Sequence, residues 1–343
     1  MRKEINNVET KKQSSLMKKI LQSQYVNLTG IIVLIITFGA IVYFVNPLFL
    51  SKANILNVGR QMVVFGIIAC ALSFPQIAGN TDMGIESVGA LCGAITCELV
   101  SANNPGILPW KTHPLLAILI GVVIGALCGL LNGVLIAYTT IPAFIVTLGT
   151  QTALRGATYI VTNNMPIAQL DERFLWFSST KLFGINIQIY LLACFFIVTA
   201  FILNKTTFGR KVFAVGGNAQ AAYQSGINVK RITLMCYIIC GIIASLAGIL
   251  LSARTNSAQP TAMNGYSTVA ISACAMGGVP LEGGEGSVIG MVFGSLMMAM
   301  LTNGMNMMGL STNYQYIFRG VMLILSVFYA QWINKKTASL ARE

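Results

Sequence analysis

Apolar residues along this chain gather into long runs separated by short polar stretches. About 20 mostly apolar residues are needed to cross about 30 Å of hydrocarbon as a helix. Runs of that kind lie at 28–45, 58–77, 84–100, 114–138, 141–161 and 187–203. Four more follow at 232–251, 265–281, 287–308 and 316–333. The pattern predicts an all-α integral membrane protein with about ten transmembrane helices. The third and eighth runs are the shortest and richest in glycine, and both adjoin polar or glycine-dense sequence.

The polar stretches set the orientation. Residues 1–27 carry Arg2, Lys3, Lys11, Lys12, Lys18 and Lys19 with no small-residue cleavage site behind a short apolar core. They are expected to be a cytoplasmic tail and not a cleaved signal peptide. With an even number of spans, residues 335–343 (Lys335, Lys336, Arg342) return to the same side, as does the basic loop 204–231. Basic residues assigned inside outnumber Lys52, Arg60, Lys111, Arg173, Lys181 and Arg254 outside, so both termini are expected to be cytoplasmic. The other long loop, 162–186, should face outward. Neither is long enough for a soluble domain, which leaves one membrane domain over 28–334.

Composition agrees. Only 9% of the 343 residues are charged and 55% are hydrophobic, with mean hydropathy +0.73; soluble domains carry about 25% charged residues. Net charge is +12, which positive cytoplasmic loops explain without a nucleic-acid partner. The 8 cysteines all lie in apolar stretches without a C-x-x-C pair, so they read as buried small hydrophobes and neither disulfides nor metal ligands. Cys236 and Cys240 share a helix face but have no His or carboxylate beside them. His113, the single histidine, sits in a loop with no hydrolase constellation around it. No G-x-x-x-x-G-K-[ST] motif is present, which excludes ATP binding in the Walker manner. Gly283–Ser287 has no dinucleotide spacing and reads as a turn. No catalytic residue or cofactor is expected.

Two spans share a pattern. The fourth carries Gly121, Gly125, Gly129 and Gly133 at four-residue spacing and ends Asn132-Gly133. The ninth, with the turn before it, carries Gly286, Gly290 and Gly294, with Asn303-Gly304 further on. The next span of each has an Arg-Gly pair, Arg155-Gly156 and Arg319-Gly320. Two readings fit: a duplication into two inverted five-helix halves, or the general frequency of Gly-x-x-x-Gly in membrane helices.

Charges inside a membrane are costly and mark candidate sites. Here they are Asp82, Glu86, Glu98, Arg155 and Arg319, with Glu98 near a span end where it can reach water. Asp82 and Glu86 would stack on one face of a continuous helix and could serve a proton relay or a cation. Gly79-Asn80-Thr81 before them instead suggests a broken or re-entrant segment lining a cavity. Thr147, Thr150, Gln151 and Thr152 precede Arg155 as a polar cluster. Each arginine could equally pair with a carboxylate to hold helices in register. On the cytoplasmic side, residues 219–224 form a short helix bracketed by glycines beside basic residues, suited to a groove on a soluble partner or to an ordinary interfacial loop.

These residues resemble a known family. The loop A-V-G-G-N-x-x-A-A-x-x-S-G-I-N-V (214–229) is similar to the coupling loop of ribose-type ABC transporter permeases. So, in the family's order, are P-A-F-I-V-T-L (142–148) with Leu154-Arg155-Gly156, C-G-I-I-A-S-L-A-G-I-L (240–250), S-A-Q-P-T-A (257–262) with Gly265-Tyr266, G-G-V-P-L-E-G-G-E-G-S (277–287) and N-G-M-N-M-M-G-L-S (303–311). The resemblance implies a permease of the bacterial cytoplasmic (inner) membrane, importing a monosaccharide such as a ribose-like pentose or a hexose. It also implies cytoplasmic ATP-binding subunits, an extracytoplasmic sugar-binding protein and a second permease copy or sister permease. The matching coupling positions are Arg210, Gly216, Gly217, Asn218, Ala221, Ala222, Ser225 and Gly226. Candidate pathway residues are Asp82, Glu86, Thr147, Gln151, Arg155, Gln259, Asn303 and Asn306.

Two departures bear on the solute. The family's usual D-L-S-V-G is Asp82-Met83-Gly84-Ile85-Glu86 here, and its G-G-T-S-L is Gly277-Gly278-Val279-Pro280-Leu281. Autoinducer-2, a polyol or a nucleoside are alternative cargoes. A proton- or sodium-coupled secondary transporter using Asp82 and Glu86 is the alternative of another class.

Overall fold

A computed structural model describes residues 24–101 and 111–342. The tail charges of the first 19 residues lie outside these. Thirteen α-helices are seen among the described residues, and one lies at each of the predicted apolar runs. In order they are α1 (Gln24–Val45), α2 (Lys52–Ile77), α3 (Ile85–Val100), α4 (Pro114–Tyr138), α5 (Ala143–Val161), α6 (Glu172–Ser179) and α7 (Ile187–Lys205). Then come α8 (Thr207–Gly217), α9 (Ala219–Gln224), α10 (Val229–Thr255), α11 (Tyr266–Met276), α12 (Val288–Met307) and α13 (Thr312–Arg342). The segment 162–186 also holds a small antiparallel hairpin, β1 (Lys181–Leu182) and β2 (Ile185–Asn186). Helices α6 and α8 and the hairpin fall where the apolar pattern predicts only loop, because interfacial helices need no long apolar run.

Among the described residues, five helices are long and apolar enough to cross a membrane: α2, α4, α7, α10 and α12. Polar side chains at the boundaries define where helices start. Ser51, Asn186, Thr206, Asn218, Asn228 and Ser287 each accept a backbone N–H from the first turn of the helix they cap. His113 does the same, Nδ1 accepting from Leu115 N at 3.3 Å ahead of Pro114, which gives that histidine a structural role.

At the centre lie α2 and α10. Every residue from Val63 to Ile77 is buried, as expected of a helix that is apolar all round. Lipid tails are as apolar as leucine, so these helices associate by close packing and not by exclusion of water. The glycine ladder of α4 supplies that packing against α10. A Cβ on Gly125 would lie 2.6 Å from the Gly241 carbonyl oxygen, so the backbones touch there. Gly125→Leu is therefore expected to force α4 off α10 and destabilise the protein by about 1–3 kcal/mol or more, read as a fall in melting temperature in detergent. The exposed neighbour Leu127 should accept alanine with little change.

The packing repeats itself. Helix α3 lies against α4, α5 and α10, while α11 lies against α12, α13 and α2. Likewise α4 packs on α10 and α12 on α2. The two short elements, α3 and α11, thus occupy corresponding places, each entered through a non-helical segment.

Candidate functional site: a buried polar network above a groove

Between Ile77 and Ile85 the chain leaves the helix, with Gly79 at φ 81°. Asp82 therefore precedes α3, and the two carboxylates do not stack on one helix face. Asp82 is 3% exposed; its Oδ1 accepts Gly84 N–H at 2.8 Å, and Cys240 Sγ lies 3.6 Å from Oδ2. The Tyr237 hydroxyl donates to the Thr81 carbonyl at 3.3 Å, tying the break to α10.

Glu86, in the first turn of α3, enters a different network. It is 2% exposed. Oε1 accepts Gln151 Nε2 at 2.8 Å and lies 3.6 Å from Arg155 Nη2. Oε2 accepts both the backbone N–H of Ser267 at 3.1 Å and its hydroxyl at 2.9 Å. Glu86 and Ser267 are each the second residue of their short helix, so the N-termini of α3 and α11 meet across this carboxylate. Helix N-termini favour negative charge, and burial of a carboxylate is tolerated where partners saturate it. Arg155 Nη1 also donates to the carbonyls of Ala262 at 2.7 Å and Pro260 at 3.3 Å, tying α5 to the segment that leads into α11.

A groove of about 730 Å³ opens one turn away. Its walls are the start of α5 (Pro142–Phe144) and α13 (Leu323, Ile324, Val327, Phe328, Gln331), and its floor is Gly79–Thr81, Met83, Ile271 and Leu281. Residues three or four apart share a helix face. Glu86 follows Met83, Ser267 precedes Ile271 and Arg319 precedes Leu323 by that spacing. These polar residues thus lie about one turn from residues that line the groove, without lining it themselves.

The family model for the permease component of branched-chain amino acid transport systems matches residues 54–327. The chain belongs to this permease family. Relatives agree along nearly the whole length: the ribose import permease protein RbsC of Bacillus subtilis is 37% identical over 300 residues, 87% of this chain and 89% of the relative. The Escherichia coli (strain K12) RbsC is 35% identical over 292 residues, 84% of this chain and 88% of the relative. The L-arabinose transport system permease protein AraH of the same strain is 33% identical over 305 residues, covering 89% of this chain and 90% of the relative. No solved structure matches the chain.

Of the pathway candidates, the permease brings Glu86, Gln151 and Arg155 together. Thr147 is buried one turn before Gln151, its hydroxyl bonded to the carbonyls of Ala143 and Phe144. The others stand apart. Gln259 is exposed, and its amide reaches only Ser257 Oγ, at 3.4 Å. Asn303 Oδ1 accepts Asn54 Nδ2 at 2.9 Å, joining α12 to α2, and exposed Asn306 accepts Gln315 Nε2 at 2.6 Å. Sequence reasoning passed over Ser267; a polar residue just inside a glycine-led short helix was the available signal. Arg155 has its carboxylate, as pairing predicts. Arg319 has none among the described residues, and lies 5.7 Å from the ring centres of Tyr266 and Tyr316.

Residues 204–231 hold two helices, α8 and α9, and not a loop with one. Helix α9 spans the six residues expected of it, capped by Asn218 Oδ1 on Ala221 N–H at 2.9 Å. Arg210, Gly217, Asn218, Ala221, Ser225 and Gly226 are exposed; Ala222 is buried. Gly216 differs: a Cβ there would collide with the Ile77 carbonyl and lie 2.5 Å from Gly284 N. Gly284 N–H donates to that same carbonyl at 2.8 Å, so the end of α8, the end of α2 and the 277–287 turn meet backbone to backbone.

Proposed function

We propose that this chain is the membrane-spanning subunit of an ATP-driven importer for a monosaccharide, placed in the bacterial cytoplasmic membrane. The observation that carries the reading is end-to-end similarity to permeases named for ribose and L-arabinose. In this reading all ten apolar segments cross the membrane over 28–334, and both termini are cytoplasmic. The corresponding packing of α3 and α11 favours two inverted five-helix halves. The exposed face of α9, with Arg210 nearby, receives a cytoplasmic ATP-binding subunit. Outside, a sugar-binding protein delivers the solute, and a second permease, identical or related, completes the pathway.

Transport then requires two packings of the same helices. The nucleotide state of the partner biases them only if it interacts differently with each. The junction at Gly216 supplies a route from α8 to the break at Gly79–Gly84 and to the turn behind α11. The network at Glu86, where the ends of α3 and α11 meet, separates the groove from the other side of the membrane.

Affinity purification in mild detergent followed by mass spectrometry tests this. An ATP-binding subunit in equimolar amount is expected, and cells lacking the permease should lose uptake of labelled ribose or arabinose. A chain that purifies alone and transports on an ion gradient in liposomes would overturn it.

A further inference from the structure

The two halves differ in how they treat their matching arginines. Arg155 on α5 faces Glu86 at 3.6 Å and two backbone carbonyls. Arg319 on α13 is 9% exposed and has no ion pair among the described residues. Its Nε has no hydrogen-bond partner. Its guanidinium lies between the rings of Tyr266 and Tyr316, and Tyr266 stacks edge-on against Phe65 with ring centres 5.1 Å apart. Rings can hold a cation in place, but they accept none of its five N–H bonds in the manner of an oxygen.

Among the described residues, Arg155 Nη2 and Arg319 Nε are both buried without a hydrogen-bond partner, but Arg155 Nη2 has the Glu86 carboxylate at 3.6 Å and Arg319 has no carboxylate. Both oxygens of Glu86 are taken, by Gln151 and Arg155 on one side and by Ser267 on the other. What remains is a donor. A buried unsatisfied donor costs free energy unless something fills it, and the position is one turn from Leu323 in the groove wall. Gly265 keeps the site close, since even a Cβ there would stand 3.4 Å from the Tyr316 ring and 3.7 Å from Arg319 Nη1.

We infer that Arg319, held between Tyr266 and Tyr316, is a solute-contact residue that donates hydrogen bonds to acceptor oxygens of the passing solute. The inference rests on the proposed importer function and deepens it: the ligand class is polyhydroxylated, recognised here through its oxygens as acceptors. Glu86 contributes position and charge balance, and Arg319 makes the contact.

The test compares wild type with Arg319→Gln in cells carrying the complete transporter, using labelled D-ribose and its monodeoxy analogues with the same binding protein throughout. Arg319→Gln is expected to lower ribose uptake by about tenfold or more, the scale of a hydrogen bond to a charged group. For the one analogue that lacks the contacted hydroxyl, the same substitution should cost much less. Equal losses for every sugar would mean that Arg319 only packs α13 on α11, and would overturn the inference, as would unchanged uptake. If Arg319→Gln does not accumulate in the membrane, Arg319→Lys decides by the same ratio: a uniform effect across the sugars overturns the contact. Wild-type cells that take up none of these sugars would sink the importer reading itself, a result distinct from either outcome.

Discussion

Glu86→Ala should be the most damaging single change in the membrane core. The substitution strands the Arg155 guanidinium, Gln151 Nε2 and the backbone N–H of Ser267 in a site where Glu86 was 2% exposed. Removing one partner of a buried ion pair costs about 3–5 kcal/mol, chiefly because the other charge stays behind. A loss of that size rivals a whole domain's stability of about 5–15 kcal/mol. The expected result is a sharply lower melting temperature or little extractable protein. Glu86→Gln keeps the acceptor towards Ser267 and should stay folded while altering uptake. The double variant Glu86→Ala with Arg155→Met removes the stranded charge and should recover much of the lost stability. If the double variant is as unstable as the sum of the singles, the ion pair is not what holds α3, α5 and α11 together.

Gly216→Leu should separate ATP hydrolysis from transport. Any side chain at this position meets backbone of Ile77 and Gly284, which cannot rotate away. Overpacking against backbone costs about 1–3 kcal/mol, enough to shift an equilibrium between two packings without unfolding either. Purified complex should keep its ATPase activity while sugar uptake falls by about tenfold or more, the factor that 1.4 kcal/mol produces. Gly217→Leu is the control. A Cβ there touches nothing within 4 Å, so within this chain it should be silent, and any defect would come from the docked partner. Coupled uptake in Gly216→Leu would remove the junction from the mechanism.

Both predictions depend on contacts that spacing alone does not foretell. Asp82 and Glu86 are four apart and invite a shared helix face; the break before Ile85 gives them separate neighbours, Cys240 for one and Ser267 for the other. Gly216 and Gly217 are adjacent in the same motif, yet one is wedged between backbones and the other is open. Arg155 and Arg319 head identical Arg-Gly pairs, and among the described residues only the first finds a carboxylate.

The sequence by itself determined the presence of a helix at each apolar run, the short helix Ala219–Gln224 and the family. The reason is local: hydrocarbon thickness dictates run length, and a helix satisfies its own backbone hydrogen bonds within the run. Capping residues and glycine ladders are also read within a few positions. The tertiary structure alone decided which polar groups meet, because that depends on how each helix is rotated and where it crosses its neighbours. Glu86 and Ser267 are 181 residues apart, and nothing in either segment names the other. Their meeting follows from two short helices entering the core from corresponding places, and the groove beneath them exists only once α5 and α13 stand on either side.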